Sequence, residues 1–147
     1  MIDNLKYWDL IEKSPFKNRV SKREVDEGCN YANELYLKVL NDYNLKVLDY
    51  SYSIVNSGRR AGYFKIKNNE PLCIRINVVY LIFLSKQNYL KKIRRTVLHE
   101  IAHYIQFVKF GFTDHSVIFN AILSELLRKY PKIKNIELLL QKVSKNE

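Results

Sequence analysis

From residue 22 to residue 43, apolar side chains return every three or four positions: Val25, Cys29, Ala32, Leu35, Tyr36, Val39 and Leu40. That period puts them on one stripe of a helix. Ser21, with Glu24 three residues on, predicts a capping box at its start, and Asn41–Asn44 predicts its end. Between 45 and 77 the period changes. Leu45–Val55 is rich in β-branched and aromatic residues and partly alternates, Asn56-Ser57-Gly58 reads as a turn, and 59–67 reads as a second strand. Asn68-Asn69 is the next turn, and 72–77 a third strand with Leu72, Ile74 and Ile76 on one side. Strands so spaced predict a small, three-stranded, largely antiparallel sheet. After Asn77 the pattern is helical: a short apolar helix over Val78–Leu84, then a long one over 87–110. Gly111 can cap the long helix in the left-handed conformation. Thr113-Asp114 opens the next helix, which runs to about Tyr130 and is stopped by Pro131. A short basic helix follows over 132–144. Helix, sheet, then helices predicts an α+β domain.

At 147 residues the chain is one domain's worth, and 47% hydrophobic residues suffice for a core. Residues 1–20 read as an N-terminal arm, with Trp8, Leu10 and Ile11 able to pack on the body; 21–131 form the domain, and 132–147 a basic helix and tail. Cys29 and Cys73 are the only two cysteines. They exclude a disulfide framework or a four-cysteine zinc ribbon, and read as small buried apolar residues. The N-terminus lacks a signal-peptide pattern and the longest apolar run, Val78–Leu84, is far short of a membrane span. The expectation is an intracellular protein, cytoplasmic or nuclear/nucleoid-associated, with no membrane partner.

Net charge is +10, unevenly spread. Residues 1–50 carry 8 Lys/Arg against 9 Asp/Glu, whereas 51–147 carry 17 against 6. Such asymmetry suggests an anionic partner for residues 51–147, most often nucleic acid, here DNA, against the plainer reading of solvated helix faces. Lys91, Lys92, Arg94 and Arg95 could form a basic rim, joined by Arg59, Arg60 and Arg75. Trp8 and the Tyr-rich stretch 50–52 could stack on bases, but core packing is the better reading.

Leu98-His99-Glu100-Ile101-Ala102-His103 carries the chemistry. His99 and His103 are one helical turn apart, so both imidazoles project from one face and can hold one ion. Glu100 stands beside that ion, where it can take a proton from water. His115, the third and last histidine, follows the Gly111 reversal and can return over the first pair. Three imidazoles and an open fourth position are what catalytic zinc uses. Alternatives remain: a surface histidine pair with an incidental Glu, Glu125 as third ligand in place of His115, or Asp114-His115-Ser116 as a mere helix start with Asp114 capping. A metzincin is excluded, because Gln106 and Lys109 stand where that motif needs Gly and His. Tyr104 and Tyr63 are candidate oxyanion donors, and Asp114 a candidate to orient a ligand imidazole.

Over about residues 25–130 the chain resembles the SprT-like zinc metalloprotease domain family, which includes Spartan. The resemblance rests on Arg59-Arg60-Ala61-Gly62-Tyr63, on Ile74-Arg75-Ile76-Asn77, on the His-Glu-x-x-His helix, and on His115 followed by Phe119. It implies a minimal zincin-like fold, one catalytic Zn2+ on His99, His103 and His115, and Glu100 as catalytic residue. The activity implied is a zinc-dependent metalloendopeptidase hydrolysing protein or peptide substrates, including proteins on DNA. The chain's two cysteines cannot supply the four-cysteine ribbon that many members carry. The alternative is a metal-stabilised DNA- or protein-binding module with weak or no peptidase activity. Glu100 argues against it, since structural sites more often fill the fourth position with Cys or His.

Overall fold

A computed structural model of the chain describes residues 16–51 and 61–130. Helix α1 (Lys22–Asp42) starts as its sequence predicts. The Ser21 hydroxyl accepts from the Glu24 N–H at 3.1 Å, and the Glu24 carboxylate accepts from the Ser21 N–H at 2.9 Å. This pair satisfies donors that a helix start leaves open. At the other end Asn44 takes φ 54°, and the Leu45 N–H turns back to the Leu40 carbonyl at 2.9 Å. Such a left-handed cap suits Asn.

The chain then enters β1 (Asp49–Ser51), tied to α1 by the Leu48 N–H, which donates to Tyr36 Oη at 3.1 Å. Strands β2 (Gly62–Lys67) and β3 (Glu70–Ile76) form an antiparallel hairpin. Its turn, Asn68-Asn69, has φ 53° and 61°, the left-handed pair that a two-residue hairpin needs. β3 lies between the other two strands, and β1 runs parallel to it with Tyr50 opposite Ile74. The antiparallel expectation therefore holds for β2–β3 and fails for β1. A two-residue turn dictates the direction of a hairpin, whereas β1 has no tight turn to β3 and takes its direction from α1. β1 starts at Asp49 and β2 at Gly62, later than the residue pattern suggests, whereas β3 starts at Glu70, earlier than it suggests. The turn at Asn56–Gly58, Arg59 and Arg60, the arm with Trp8, Pro131 and the basic helix of 132–144 lie outside the described residues.

Asn77 caps the short helix α2 (Val78–Leu84), its Oδ1 accepting from the Tyr80 N–H at 3.2 Å. Helix α3 (Tyr89–Phe110) is the axis of the domain, and α1, α2, β2, β3 and α4 (Val117–Lys129) all pack on it. Ile93, Val97, Leu98, Ile101 and Ala102 are fully buried along it. The hairpin meets α3 through Phe64, whose ring stacks on Tyr104 with centroids 5.6 Å apart. Cys29 and Cys73 are both buried and form no disulfide with each other. No helix among the described residues is long and apolar enough to cross a membrane.

The Ala61-Gly62 pair has a physical reason. The Ala61 carbonyl accepts from the Asn77 N–H at 2.8 Å, locking the two strand ends together. A Cβ at Gly62 would lie 2.7 Å from the Arg75 carbonyl oxygen and 3.1 Å from Thr96 Cγ2 on α3. Backbone cannot give way there as a side-chain tip can. Gly62→Ala should therefore destabilise the fold by about 1–3 kcal/mol, the usual cost of overpacking, read as a lower urea midpoint at an unchanged slope. An unaltered midpoint would show that Gly62 is not packed tightly between β3 and α3.

Candidate metal centre

Helix α3 carries His99 and His103 on adjacent turns, both half-buried. It ends at Gly111, whose φ of 78° and N–H bond to the Phe107 carbonyl at 2.8 Å let the chain reverse. The next helix, α4, starts at Val117 with Ser116 as its N-cap residue, later than the sequence suggests. Thr113 and Asp114 are used in the return loop instead. That loop brings His115 back over α3. The His103 and His115 Nε2 atoms are 3.1 Å apart, and the ligand atoms of His99, His103 and His115 all lie within 4.8 Å of one another. Among the described residues these three are the one cluster of metal-ligating side chains so gathered.

Phe119, 1% exposed on the first turn of α4, packs against all three imidazoles. It stacks on His103 at 4.2 Å between centroids and meets His99 and His115 edge-on at 4.9 and 5.2 Å. A buried ring there limits the rotamers the imidazoles can adopt.

A second set of contacts holds the loop. Gln106 is 0% exposed, three residues past His103 on α3. Its Nε2 donates to Asp114 Oδ1 at 2.8 Å, while its Oε1 accepts from the Asp114 N–H at 3.0 Å and from the Thr113 hydroxyl at 2.9 Å. Thr113 Oγ1 lies 2.6 Å from His103 Nδ1. Asp114 Oδ1 also accepts from the Ser116 N–H at 3.1 Å. Thr113, and not Asp114, touches a candidate ligand. Neither Gln106 nor Thr113 was singled out by motif. The available signal was an uncharged polar residue inside the apolar run Ile101, Ala102, Ile105, since a buried amide requires partners.

His99 and His103 are held towards the neutral form. Burial, then the neighbouring His99 and His115, pull the His103 pKa down to about 4, with Asp114 opposing. Burial, then His115 and Arg95, lower that of His99. Hydrogen bonds from Ser116 and Gln106 hold the Asp114 carboxyl below its usual range. A metal ion needs unprotonated nitrogens, so the donor set fits. The spacing fits as well: nitrogens about 2.0–2.1 Å from a tetrahedral ion stand roughly 3.3–3.4 Å apart, close to the 3.1 Å between His103 and His115.

Glu100 follows His99 on α3 and is 6% exposed. The other candidates sort themselves by contact. Glu125 is outside the cluster, its carboxylate accepting from Tyr43 Oη at 3.4 Å. Tyr104 points into the fold, its hydroxyl donating to the Lys46 carbonyl at 2.8 Å. Tyr63 sits half-buried on β2, opposite Arg75. Arg94 leaves the basic rim: it is 9% exposed, and its Nη2 donates to the Leu127 and Tyr130 carbonyls at 2.6 and 3.2 Å. It caps the last turn of α4, where a cation also suits the helix dipole. Lys91, Lys92 and Arg95 stay exposed, and with Ser85, Asn88 and Arg94 they line a depression at the start of α3.

The sequence model of the SprT-like family matches residues 32–137. No curated protein and no solved structure matches the chain.

Because the folded state favours neutral His103, the unfolded chain binds more protons between the ordinary pKa of 6.5 and the folded value of about 4. This contribution is complete above the first value and is lost as pH falls towards the second. Metal-free protein should thus show a lower urea midpoint at about pH 4.5 than at about pH 7.5, and His103→Gln should shrink the difference. An equal fall in both proteins would assign the acid sensitivity elsewhere.

Proposed function

The chain belongs to the SprT-like family, and from that premise we propose that it is a zinc-dependent metalloendopeptidase of minimal zincin-like architecture. The observation that carries this reading is the gathering of three imidazole donors, two from one helix and one from the loop after it, within 4.8 Å. Three imidazoles suit zinc by donor type and geometry. A zinc ion bound there supplies a Lewis acid that polarises the scissile carbonyl and lowers the pKa of water towards about 7.

The rest is work for the chain's own residues. His99, His103 and His115 hold the ion and leave one side open to substrate. Glu100 follows His99, so its side chain leaves the helix about 100° around from that imidazole, flanking the ion and not ligating it. Its carboxylate takes a proton from the attacking water and passes it to the leaving amine. Burial of Glu100 on α3 keeps it from being freely solvated, which strengthens its interactions with charge nearby. The substrate is a protein or peptide. Exposed Lys91, Lys92 and Arg95, one to two turns ahead of His99, give the site a basic approach that suits proteins held on DNA.

Glu100→Gln should reduce cleavage of a denatured basic protein by at least about a hundredfold, the scale of a lost general base, while zinc stoichiometry stays at wild-type level. Fragments are read on a gel, with and without DNA. Full activity in Glu100→Gln would remove that residue from the mechanism. A wild-type protein that binds zinc and DNA but cuts nothing would favour a binding module.

A further inference from the structure

We propose that Thr113 and Gln106 are positioning residues that fix His103 as its Nδ1–H tautomer, so that the bare Nε2 faces the metal position. The assignment follows from groups that can play one role only. The Asp114 N–H can only donate and the ionised Asp114 carboxylate can only accept. Gln106 bonds both, at 3.0 and 2.8 Å, so its amide has one orientation, with Oε1 on the N–H and Nε2 on the carboxylate. Thr113 Oγ1 lies 2.9 Å from that same Oε1, an atom that only accepts, so the single hydroxyl proton is spent there. Towards His103 the hydroxyl can then only accept. At 2.6 Å, His103 Nδ1 must be the donor.

The neutral ring has one N–H, so Nε2 is left as a lone pair, and it is Nε2 that stands 3.1 Å from His115 Nε2. The hydrogen bond made by one ring nitrogen commonly decides which nitrogen is free for a metal. Here the same contacts also place the second ligand. Gln106 grips Asp114, the residue before His115, so one buried amide sets the tautomer of His103 and the return of the loop bearing His115. Its effect on metal affinity rests on the metal centre proposed above; the tautomer does not.

The test uses full-length metal-free protein at about pH 7.5, where His103 is neutral. Long-range nitrogen–proton NMR should show His103 protonated at Nδ1 and bare at Nε2. Thr113→Val removes the acceptor at nearly constant volume. It should shift His103 towards the Nε2–H form and weaken zinc, measured by chelator competition, about 10–100-fold. Thr113→Ser should restore both readouts. Wild-type His103 protonated at Nε2 would overturn the proposal, as would either readout unchanged in Thr113→Val. Wild-type protein that shows the Nδ1–H tautomer yet binds no zinc would support the assignment while sinking the metal centre itself.

Discussion

Helix α4 lying along α3 is the contact on which the site depends, because His115 belongs to the loop before α4 and the other two histidines belong to α3. The seam is fastened at three points. At one end Arg94 donates to the final carbonyls of α4, at Leu127 and Tyr130. In the middle Phe119 fills the space beneath the three imidazoles. At the other end Gln106 grips the return loop through Thr113 and Asp114. Polar groups at both ends are buried, so each fastening carries a penalty if half made. Leaving a buried hydrogen-bond partner unsatisfied costs about 1–3 kcal/mol. The seam is therefore specific in register: sliding α4 by one residue would strand Gln106, Arg94 and Phe119 together.

Such a seam also reconciles two demands on the histidines. Side chains that could share a metal ion must already be held close together, yet three imidazoles crowded within a few ångströms repel when protonated. Burial keeps His99 and His103 towards the neutral form. The Thr113 contact then gives His103 a defined face. What remains is a close-set group of nitrogen donors with a carboxylate, Glu100, one residue along the helix from His99.

Local features were legible in the sequence because their causes are local. The Ser21–Glu24 capping box, the Asn68-Asn69 turn, the left-handed Gly111 and the four-residue spacing of His99 and His103 each depend on a few neighbouring residues, and each stands where the pattern puts it. His115 was reachable through Gly111, since a helix that stops at a left-handed residue can send the chain back. Arg94 was not, because a cation in a run of cations reads as solvated until carbonyls 33 and 36 residues away come within 3.2 Å. The parallel pairing of β1 with β3 was equally hidden, as strand direction without a tight turn is set by tertiary position. Gln106 and Thr113 form the same kind of case. Their types suit many surfaces, and only the folded loop gives them to His103.

The most direct test of the three-imidazole centre is X-ray absorption spectroscopy of the zinc-loaded full chain. It should report three imidazole nitrogens at about 2.0–2.1 Å with one further light ligand and no sulfur. Two imidazoles or fewer, with carboxylate oxygens or a thiolate making up the coordination, would contradict it.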